Sequence, residues 1–160
     1  MRKGRSWLGW LELMAYRGKY RPKNINKYMG DHTKVVYRSL WERNTFRWLD
    51  ANPEIKGWNS EDVVIKYICG TDGKYHRYFI DIYFETIHHK KYLIEIKPRK
   101  ETMPPKAPKK KTKRYISEQM TYVKNISKWK AATEFAKDNG VQFFIWHEDI
   151  LRSMGISILK

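Results

Sequence analysis

Apolar positions divide the chain into segments with helical spacing and segments with strand spacing. Residues 39–50 (SLWERNTFRWLD) have apolar side chains over a broad helical face. Ser39 is followed three positions later by Glu42, which is the pattern of a capping box, and Pro53 lies just beyond the segment. The pattern therefore predicts a helix that has Glu42 in its first turn.

Three strands are predicted in the middle of the chain. Residues 63–69 (VVIKYIC) are rich in β-branched and aromatic side chains, and an Asp-Gly turn connects them to residues 76–84 (HRYFIDIYF). A polar connection then leads to residues 92–98 (YLIEIKP), so the three strands are expected to form an antiparallel meander. The segment before them, with Gly57 and Asn59, is predicted to be a loop.

Two helices and one strand are predicted in the last third of the chain. Residues 116–137 form a helix with a rough apolar stripe that includes Met120 and Val123, and an Asn-Gly pair ends it. A buried-type strand at residues 141–149 and a short helix at residues 149–155 follow. The order α, β, β, β, α, β, α predicts an α/β (α+β) fold, in which a mixed sheet of about four strands is flanked by helices.

Composition narrows the class of protein. The 160 residues, 41% hydrophobic and 15% aromatic, suit a single domain with a moderate core. Lysine and arginine number 33 against 17 acidic residues, and the formal net charge of +16 favours nucleic acid over an anionic membrane as the partner. The absence of a run of about 18 apolar residues and of a secretory signal predicts a cytoplasmic protein that spans no membrane. Cys69 is the single cysteine, which predicts neither an intramolecular disulfide nor a thiolate metal site.

Two segments differ in composition from the rest. Residues 1–33 form a basic, aromatic arm, with a short helix predicted around residues 7–17 and an extended course after it. Residues 34–160 form the domain itself. Within it, residues 97–114 (KPRKETMPPKAPKKKTKR) hold four of the six prolines and nine basic residues against one acid. Proline keeps such a stretch out of helices and strands, so an extended surface loop is predicted.

Asp81, Glu95 and Lys97 are notable because they interrupt apolar strand segments, YFIDIYF and YLIEIKP. A strand alternates its side chains between two faces, so Glu95 and Lys97 point to one side and Ile96 to the other. If the strand of Asp81 pairs with theirs, two carboxylates and an amine converge. Such a group can bind a hard divalent cation and position a water, as hydrolysis of a phosphodiester requires. A structural ion pair between Asp81 and Lys97 is the alternative.

These segments in this order resemble the PD-(D/E)xK nuclease superfamily, in which restriction enzymes and Holliday junction resolvases share one core. More narrowly, YRSLWER, FID, IEIKP and the Lys/Pro-rich segment before TKRYISE are similar to the TnsA-like endonucleases, and among these to phage nucleases of head completion. The resemblance implies a restriction-endonuclease-like core. Ile80 replaces the proline of the motif's name, a departure that the superfamily tolerates.

The resemblance also implies a set of site residues and a cofactor. Asp81 matches the central metal-binding aspartate. Glu95 matches the acidic member of the E-x-K pair, and the carbonyl of Ile96 is implied as an extra ligand. Lys97 matches the lysine that orients the attacking water or steadies the phosphate. Glu42 matches the helix acid that reaches the metal directly or through water, although a simple capping glutamate is the alternative. The implied cofactor is Mg²⁺ or Mn²⁺.

The implied activity is that of a metal-dependent DNA endonuclease that processes double-stranded DNA ends in phage head completion, after packaging and before tail attachment. The expected location is the host cytoplasm during assembly, or the virion, with phage portal or neck proteins as further partners. Two alternatives stay open: a non-catalytic virion structural or DNA-capping protein with the same fold, and a junction-resolving nuclease. The four charged residues together favour catalysis, because buried charges cost stability.

The Lys/Pro-rich loop begins at Lys97 itself, so we expect it to contact the DNA backbone near the active site rather than to serve only solubility. The residues expected to bind DNA are Lys100, Lys106, Lys109, Lys110, Lys111, Lys113 and Arg114.

Other residues with chemical potential give weaker signals. His88 and His89 are adjacent in a polar connection, which is more typical of a solvated turn than of a metal site, and His76 has no partner at ligand spacing. Trp7 and Trp10, in the basic arm, are candidates for stacking on a partner, and the later tryptophans are predicted to be core.

Overall fold

The computed structural model describes residues 16–158 of the chain. The helices in this part are α1 (Leu40–Ala51), α2 (Lys113–Asp138) and α3 (Glu148–Ser153). The strands are β1 (Gly18–Lys19), β2 (Val36–Tyr37), β3 (Ile55–Asn59), β4 (Val64–Ile68), β5 (Tyr75–Phe79), β6 (Ile82–Thr86), β7 (Lys91–Ile96) and β8 (Gln142–Trp146). The helix predicted around residues 7–17 lies outside the described residues, except for its last two positions, which are not helical.

A four-stranded mixed sheet in the order β3-β6-β7-β8 is the centre of the fold. Strand β6 is antiparallel to both β3 and β7, whereas β8 lies parallel to β7. Parallel neighbours need a long crossover, and the segment that contains α2 supplies it between β7 and β8. The predicted mixed sheet of about four strands with helices against it is confirmed. No helix in the described residues is long and apolar enough to cross a membrane.

Strand β3 occupies a segment that the sequence predicted to be a loop, and that prediction is wrong. Gly57 suits this strand because a neighbour occupies the space of a side chain: a Cβ there would lie 2.7 Å from the sulfur of Met29. Trp58, the next residue, is fully buried in the core. Glycine and asparagine usually weaken a strand. In β3 they lie where the strand closely approaches the segment that contains Met29.

The predicted three-stranded meander is also wrong, because the run HRYFIDIYF divides between two sheets. Strand β5 pairs with β4 in a separate two-stranded sheet, whereas β6 belongs to the central one. The division falls at Ile80 and Asp81, between the two strands. The β4–β5 turn contains Gly73 at φ +67°, a left-handed conformation that glycine adopts without strain. A continuous apolar run gives no sign of such a break, since each half separately has strand character.

The two faces of the central sheet bury two clusters of side chains. On one face, residues such as Trp58, Ile82 and Ile94 pack with α1 and α3. On the other, Leu93 packs with the β4–β5 hairpin and with Trp129 of α2. Alternation along β7 explains the division, because Leu93 and Ile94 point to opposite sides. Glu95 and Lys97 share the parity of Leu93, so they belong to the face that α2 and the hairpin cover.

Residues 16–33 of the predicted arm pack against the same core. Tyr28 is buried and Tyr20 packs against the cluster on the α1 face. The buried carboxylate of Asp50, at the end of α1, accepts a hydrogen bond of 2.8 Å from the backbone N–H of Lys23. The ammonium of Lys27 donates to three carbonyls at the same helix end, including that of Asn52 at 2.7 Å. A cation at a helix C-terminus is favourable, so these contacts fix the segment to the domain.

Helix α2 differs from its prediction at its start and along its apolar face. It begins at Lys113, where the hydroxyl of Thr112 accepts from the N–H of Tyr115, three residues before the predicted start. Met120 and Val123 of the predicted stripe are exposed, and the buried positions are Asn125, Trp129, Ala132 and Ala136. The 26 residues span about 39 Å. Buried positions begin only at Asn125, so the first half of the helix is mostly exposed.

Candidate active site

The pairing of β6 with β7 brings Asp81 beside the E-x-K segment. Ile82 lies opposite Ile94, so Asp81 comes level with Glu95 at the end of the ladder. The Asp81 carboxylate accepts a hydrogen bond of 2.8 Å, on Oδ2, from the backbone N–H of Ile96. Asp81 leaves the strand conformation at this point and its side chain turns back to the neighbouring strand.

Glu95 is the most deeply buried acid of the group, with 5% of its surface exposed. Its Oε2 accepts a hydrogen bond of 2.5 Å from the hydroxyl of Tyr78, and its Oε1 lies 3.5 Å from the ammonium of Lys97. Within the described residues, the ion pair of Lys97 is therefore with Glu95. The structural alternative required an ion pair between Lys97 and Asp81 instead. Burial opposes the charge of Lys97, but its acidic neighbours, Glu95 first, outweigh that effect and raise its pKa.

Glu42 approaches the same group from the first turn of α1. The Ser39 hydroxyl accepts from the backbone N–H of Glu42 at 3.1 Å, as the predicted cap requires. The carboxylate of Glu42 accepts from the N–H of Arg38 at 2.7 Å, one residue before the expected partner of a capping box. Burial raises the pKa of Glu42 to about 7, and the charges of Glu61 and Glu95 act in the same direction, against the hydrogen bond from Arg38.

Asp81 is affected in the same direction as Glu42. Burial raises its pKa well above the ordinary value, and the charges of Glu95 and Glu42 raise it further. The N–H of Ile96 and the ammonium of Lys97 oppose the shift without cancelling it. Three acids from three segments of the chain therefore repel one another, and the nearby positive groups do not balance their negative charge.

The chemistry of this donor set suits a hard divalent cation, although the oxygens of the three acids do not all lie within 4.8 Å of one another. Carboxylate oxygens are the ligands that Mg²⁺ and Mn²⁺ prefer, and a dication would remove the repulsion that raises the pKa values of Glu42 and Asp81. Within residues 16–158 the hydrogen bond found for the Asp81 side chain engages only Oδ2, so Oδ1 is available as a ligand. The N–H of Ile96 faces Asp81, which places the Ile96 peptide beside the acids.

The sequence did not indicate Tyr78 and Lys128, which complete the surroundings of the acids. Tyr78 is buried, and burial together with the charge of Glu95 raises its pKa, so its hydroxyl stays a donor. Lys128 of α2 lies with its ammonium 5.4 Å from the centre of the Tyr78 ring. Burial lowers the pKa of Lys128, and Glu95 opposes that shift. Tyr78 appeared as one aromatic residue in an apolar strand, and Lys128 as one lysine in a basic helix, so only the tertiary fold distinguishes them.

The residues expected to bind DNA divide into two structural groups. Lys106, Lys109, Lys110 and Lys111 are exposed in the irregular stretch before α2, which is a loop as predicted. Lys100 lies in the 3-10 turn Arg99–Thr102. Lys113 and Arg114, predicted as loop residues, are in the first turn of α2, where Arg114 pairs with Glu118 at 3.0 Å.

Residues 52–148, more than half of the chain, match the family described as TnsA-like endonuclease N terminal, and the chain belongs to this family of endonucleases. The match includes Asp81, Glu95 and Lys97, whereas Glu42 precedes it. Among curated proteins, the head completion nuclease of Enterobacteria phage T4 is 49% identical over 146 residues, which are 89% of this chain and 97% of that protein. No solved structure is significantly similar to the chain.

Proposed function

We propose that this protein is a metal-dependent DNA endonuclease that acts in phage head completion, where it processes double-stranded DNA ends after packaging and before tail attachment. The observation that supports this most directly is the convergence of Asp81, Glu95 and Lys97 on one face of the sheet, with Glu42 adjoining them. Family membership and the net charge of +16 agree with a nuclease whose substrate is a polyanion.

The metal would be held by the carboxylates of Asp81 and Glu95, by Glu42 directly or through water, and by the carbonyl of Ile96. Mg²⁺ or Mn²⁺ bound there would polarise the phosphodiester and lower the pKa of a bound water. The residues of the chain position these partners. Tyr78 holds one oxygen of Glu95, and the N–H of Ile96 holds one oxygen of Asp81, so each acid keeps its other oxygen oriented.

Lys97 is proposed to act on the reacting groups rather than on the metal. Its ammonium lies 3.5 Å from Glu95 and stays protonated, because the surrounding acids raise its pKa. A fixed positive charge at this place can stabilise the negative charge that develops on the phosphate oxygens and can orient the attacking water. Lys97 is a quarter exposed, so the substrate can reach it.

DNA is proposed to bind through the basic loop that follows Lys97. Lys100, Lys106, Lys109, Lys110 and Lys111 would contact phosphates, and Lys113 and Arg114 would extend the same surface onto α2. The proposed setting is the cytoplasm of the infected host during assembly, or the virion, with portal or neck proteins as further partners.

A cleavage assay with a metal-site variant tests the proposal. Purified protein is incubated with linear, branched and supercoiled DNA, with Mg²⁺ or Mn²⁺ and then with chelator, and metal binding is measured by calorimetry. We expect metal-dependent cleavage by the wild type and loss of both cleavage and divalent binding in Asp81→Asn. Asp138→Asn, at the exposed end of α2, is the matched control and should behave as wild type. DNA binding without cleavage in any condition would favour the non-catalytic alternative, and preference for branched DNA a junction-resolving nuclease.

A further inference from the structure

The turn of the β4–β5 hairpin groups three potential metal ligands away from the carboxylate site. Cys69, Asp72 and His76 each offer one ligand atom, and the three atoms lie within 4.8 Å of one another. Nε2 of His76 is 2.7 Å from Oδ2 of Asp72, and Sγ of Cys69 is 3.0 Å from the hydroxyl of Thr71. The prediction that His76 has no partner is therefore wrong. The expectation that the single cysteine forms no thiolate metal site stays a prediction.

The backbone of the turn holds these residues in place without any ligand. Cys69 donates its N–H to the carbonyl of Lys74 at 2.9 Å and accepts at its own carbonyl from the N–H of Gly73 at 2.8 Å. These two bonds close the loop that contains Asp72. His76 lies opposite Tyr67 in the strand register, and their rings are 5.8 Å apart. A ligand set that is ordered before binding loses little conformational entropy on binding.

The donor chemistry differs from that of the carboxylate site. A thiolate, an imidazole and one carboxylate suit Zn²⁺ and related transition metals, whereas Mg²⁺ selects oxygen ligands alone. The Cys69 side chain is buried, and its sulfur is held at the turn by its contact with the hydroxyl of Thr71. Ionised Cys69 and Asp72 together supply two negative charges, which match a dication.

The distances allow tetrahedral coordination after a small adjustment. Zn²⁺ bonds of about 2.0 to 2.3 Å place tetrahedral ligand atoms roughly 3.3 to 3.6 Å apart. The present separations, 4.8 Å or less, need to close by little more than 1 Å, and the 2.7 Å contact of His76 with Asp72 opens as the ion enters. Asp72 and Thr71 are exposed, so the ion has access from the turn.

We propose that Cys69, Asp72 and His76 form a transition-metal site, selective for Zn²⁺ over Mg²⁺, with a water as the fourth ligand. The site is structural. It fixes the hairpin turn at α2, where the N–H of Gly70 already donates to the hydroxyl of Ser127 at 3.0 Å. His76 also precedes Tyr78 by two positions in β5, so the ion stabilises the strand from which Tyr78 contacts Glu95.

Cobalt substitution tests this site independently of DNA cleavage. Titration of the full-length protein with Co²⁺ should produce the thiolate-to-cobalt charge-transfer absorption, which the carboxylate site cannot give because it has no sulfur. Zn²⁺ should displace the Co²⁺ and raise the melting temperature, since an ion that binds only the folded state stabilises it. Mg²⁺ in excess should leave the charge-transfer band unchanged, since it selects oxygen ligands. The same titration in Asp81→Asn should be unchanged, so the result does not depend on the endonuclease proposal.

Variants assign the ligands. Cys69→Ala should abolish the charge-transfer band, and His76→Gln should weaken Zn²⁺ binding by more than about a hundredfold, because even outer-shell partners of a metal account for ten- to hundredfold. The control is His89→Gln, an exposed histidine between β6 and β7, with unchanged binding expected. If Cys69→Ala does not fold, the wild-type spectrum decides alone. A wild type without a charge-transfer band, or equal Zn²⁺ affinity in wild type and His76→Gln, overturns the proposal.

Discussion

The hydroxyl of Tyr78 makes one of the shortest hydrogen bonds to the acids of the candidate site. This bond connects the β4–β5 hairpin to the central sheet. It donates to the buried carboxylate of Glu95 at 2.5 Å, while Lys97 contacts the other oxygen. A buried carboxylate is costly unless donors satisfy it, so Tyr78 makes a charged Glu95 tolerable at this position. The proposed role of Glu95 as a metal ligand therefore depends on a residue in a different sheet.

Tyr78→Phe removes this donor while it keeps the ring. We expect the free energy of unfolding to fall by about 1 to 3 kcal/mol, the cost of a buried acceptor that loses its partner. Cleavage should fall roughly tenfold as Glu95 loses its orientation, in line with outer-shell partners of metal ligands. Urea unfolding and single-turnover cleavage measure the two effects. Tyr75→Phe, an exposed tyrosine of the same strand, is the control, and equal behaviour of the two variants would contradict the role of Tyr78.

Lys97→Ala separates catalysis from metal binding. The variant should bind Mg²⁺ or Mn²⁺ near wild-type affinity, yet cleave about a hundredfold or more slowly, as expected when one electrostatic or acid-base participant is removed. Calorimetry and cleavage rates at saturating metal measure these quantities. The control is Lys91→Ala, an exposed lysine at the other end of β7. Normal cleavage by Lys97→Ala would contradict the proposed role.

Among the elements, the basic loop before α2 is the one whose proposed function depends on charge rather than on packing. Lys109, Lys110 and Lys111 are exposed, and this stretch follows the strand that ends beside Lys97. A polyanion that reaches Lys97 therefore passes near several exposed cations, and each phosphate that they neutralise would release counterions.

Replacement of Lys109, Lys110 and Lys111 by glutamine tests this loop. The slope of log affinity against log salt on duplex DNA should decrease in magnitude by up to roughly 2.7, at about 0.9 for each phosphate that the loop no longer neutralises. Affinity should decrease equally for unrelated sequences, because phosphates carry no sequence information. The control is a triple variant with the same change in net charge, in which three exposed lysines elsewhere are replaced by glutamine: Lys74, Lys90 and Lys137. If both triple variants change the slope alike, net charge and not the loop determines binding.

Elements were predicted correctly where the local sequence preference and the tertiary contacts favour the same secondary structure. Helix α1 follows from the Ser39 cap and its apolar face, and strand β7 from its apolar run. Strand β3 was missed because Gly57 is explained only by Met29, a residue from a distant segment. Asp81, Glu95 and Lys97 could be proposed from the sequence because charges in apolar strands are unusual, whereas Glu42 was indicated only by the family resemblance. Tyr78, by contrast, becomes recognisable only through the partner that the fold brings to it.

At the scale of the whole molecule, the crowded acids couple stability to pH. Burial and neighbouring acids raise the pKa of Glu42 from 4.5 to about 7 in the folded state. Between these values the folded protein binds more protons than the unfolded chain, so the contribution of Glu42 to stability is present at low pH and is lost as pH rises towards 7. The raised pKa of Asp81 acts in the same direction.

The difference in unfolding free energy between wild type and Glu42→Gln isolates this contribution. In chelator, the stability of the wild type relative to Glu42→Gln should decrease between pH 5 and pH 8 by an amount on the order of 3 kcal/mol. Mg²⁺ should restore stability at pH 8 and have little effect at pH 5, where protons compete with the metal. Urea unfolding at each pH measures the effect, with Asp138→Asn as the control. A relative stability that increases with pH would contradict it.

The change of sheet at Ile80 and Asp81 also determines where the chain can change its length. Strands β5 and β6 are separated by only these two residues, and each is held in register by a different partner. Side chains in a strand alternate between two faces with a period of two. One residue inserted or deleted between Tyr75 and Thr86 would therefore turn the side chains of part of β5 or β6 to the wrong face of its sheet. The β6–β7 turn and the exposed loop at residues 103–111 have no such constraint. The β4–β5 turn is different, because the spacing of Cys69, Asp72 and His76 depends on its length. Length variation among natural relatives should therefore be found in the β6–β7 turn and in that loop and be absent from the twelve-residue run that contains Asp81.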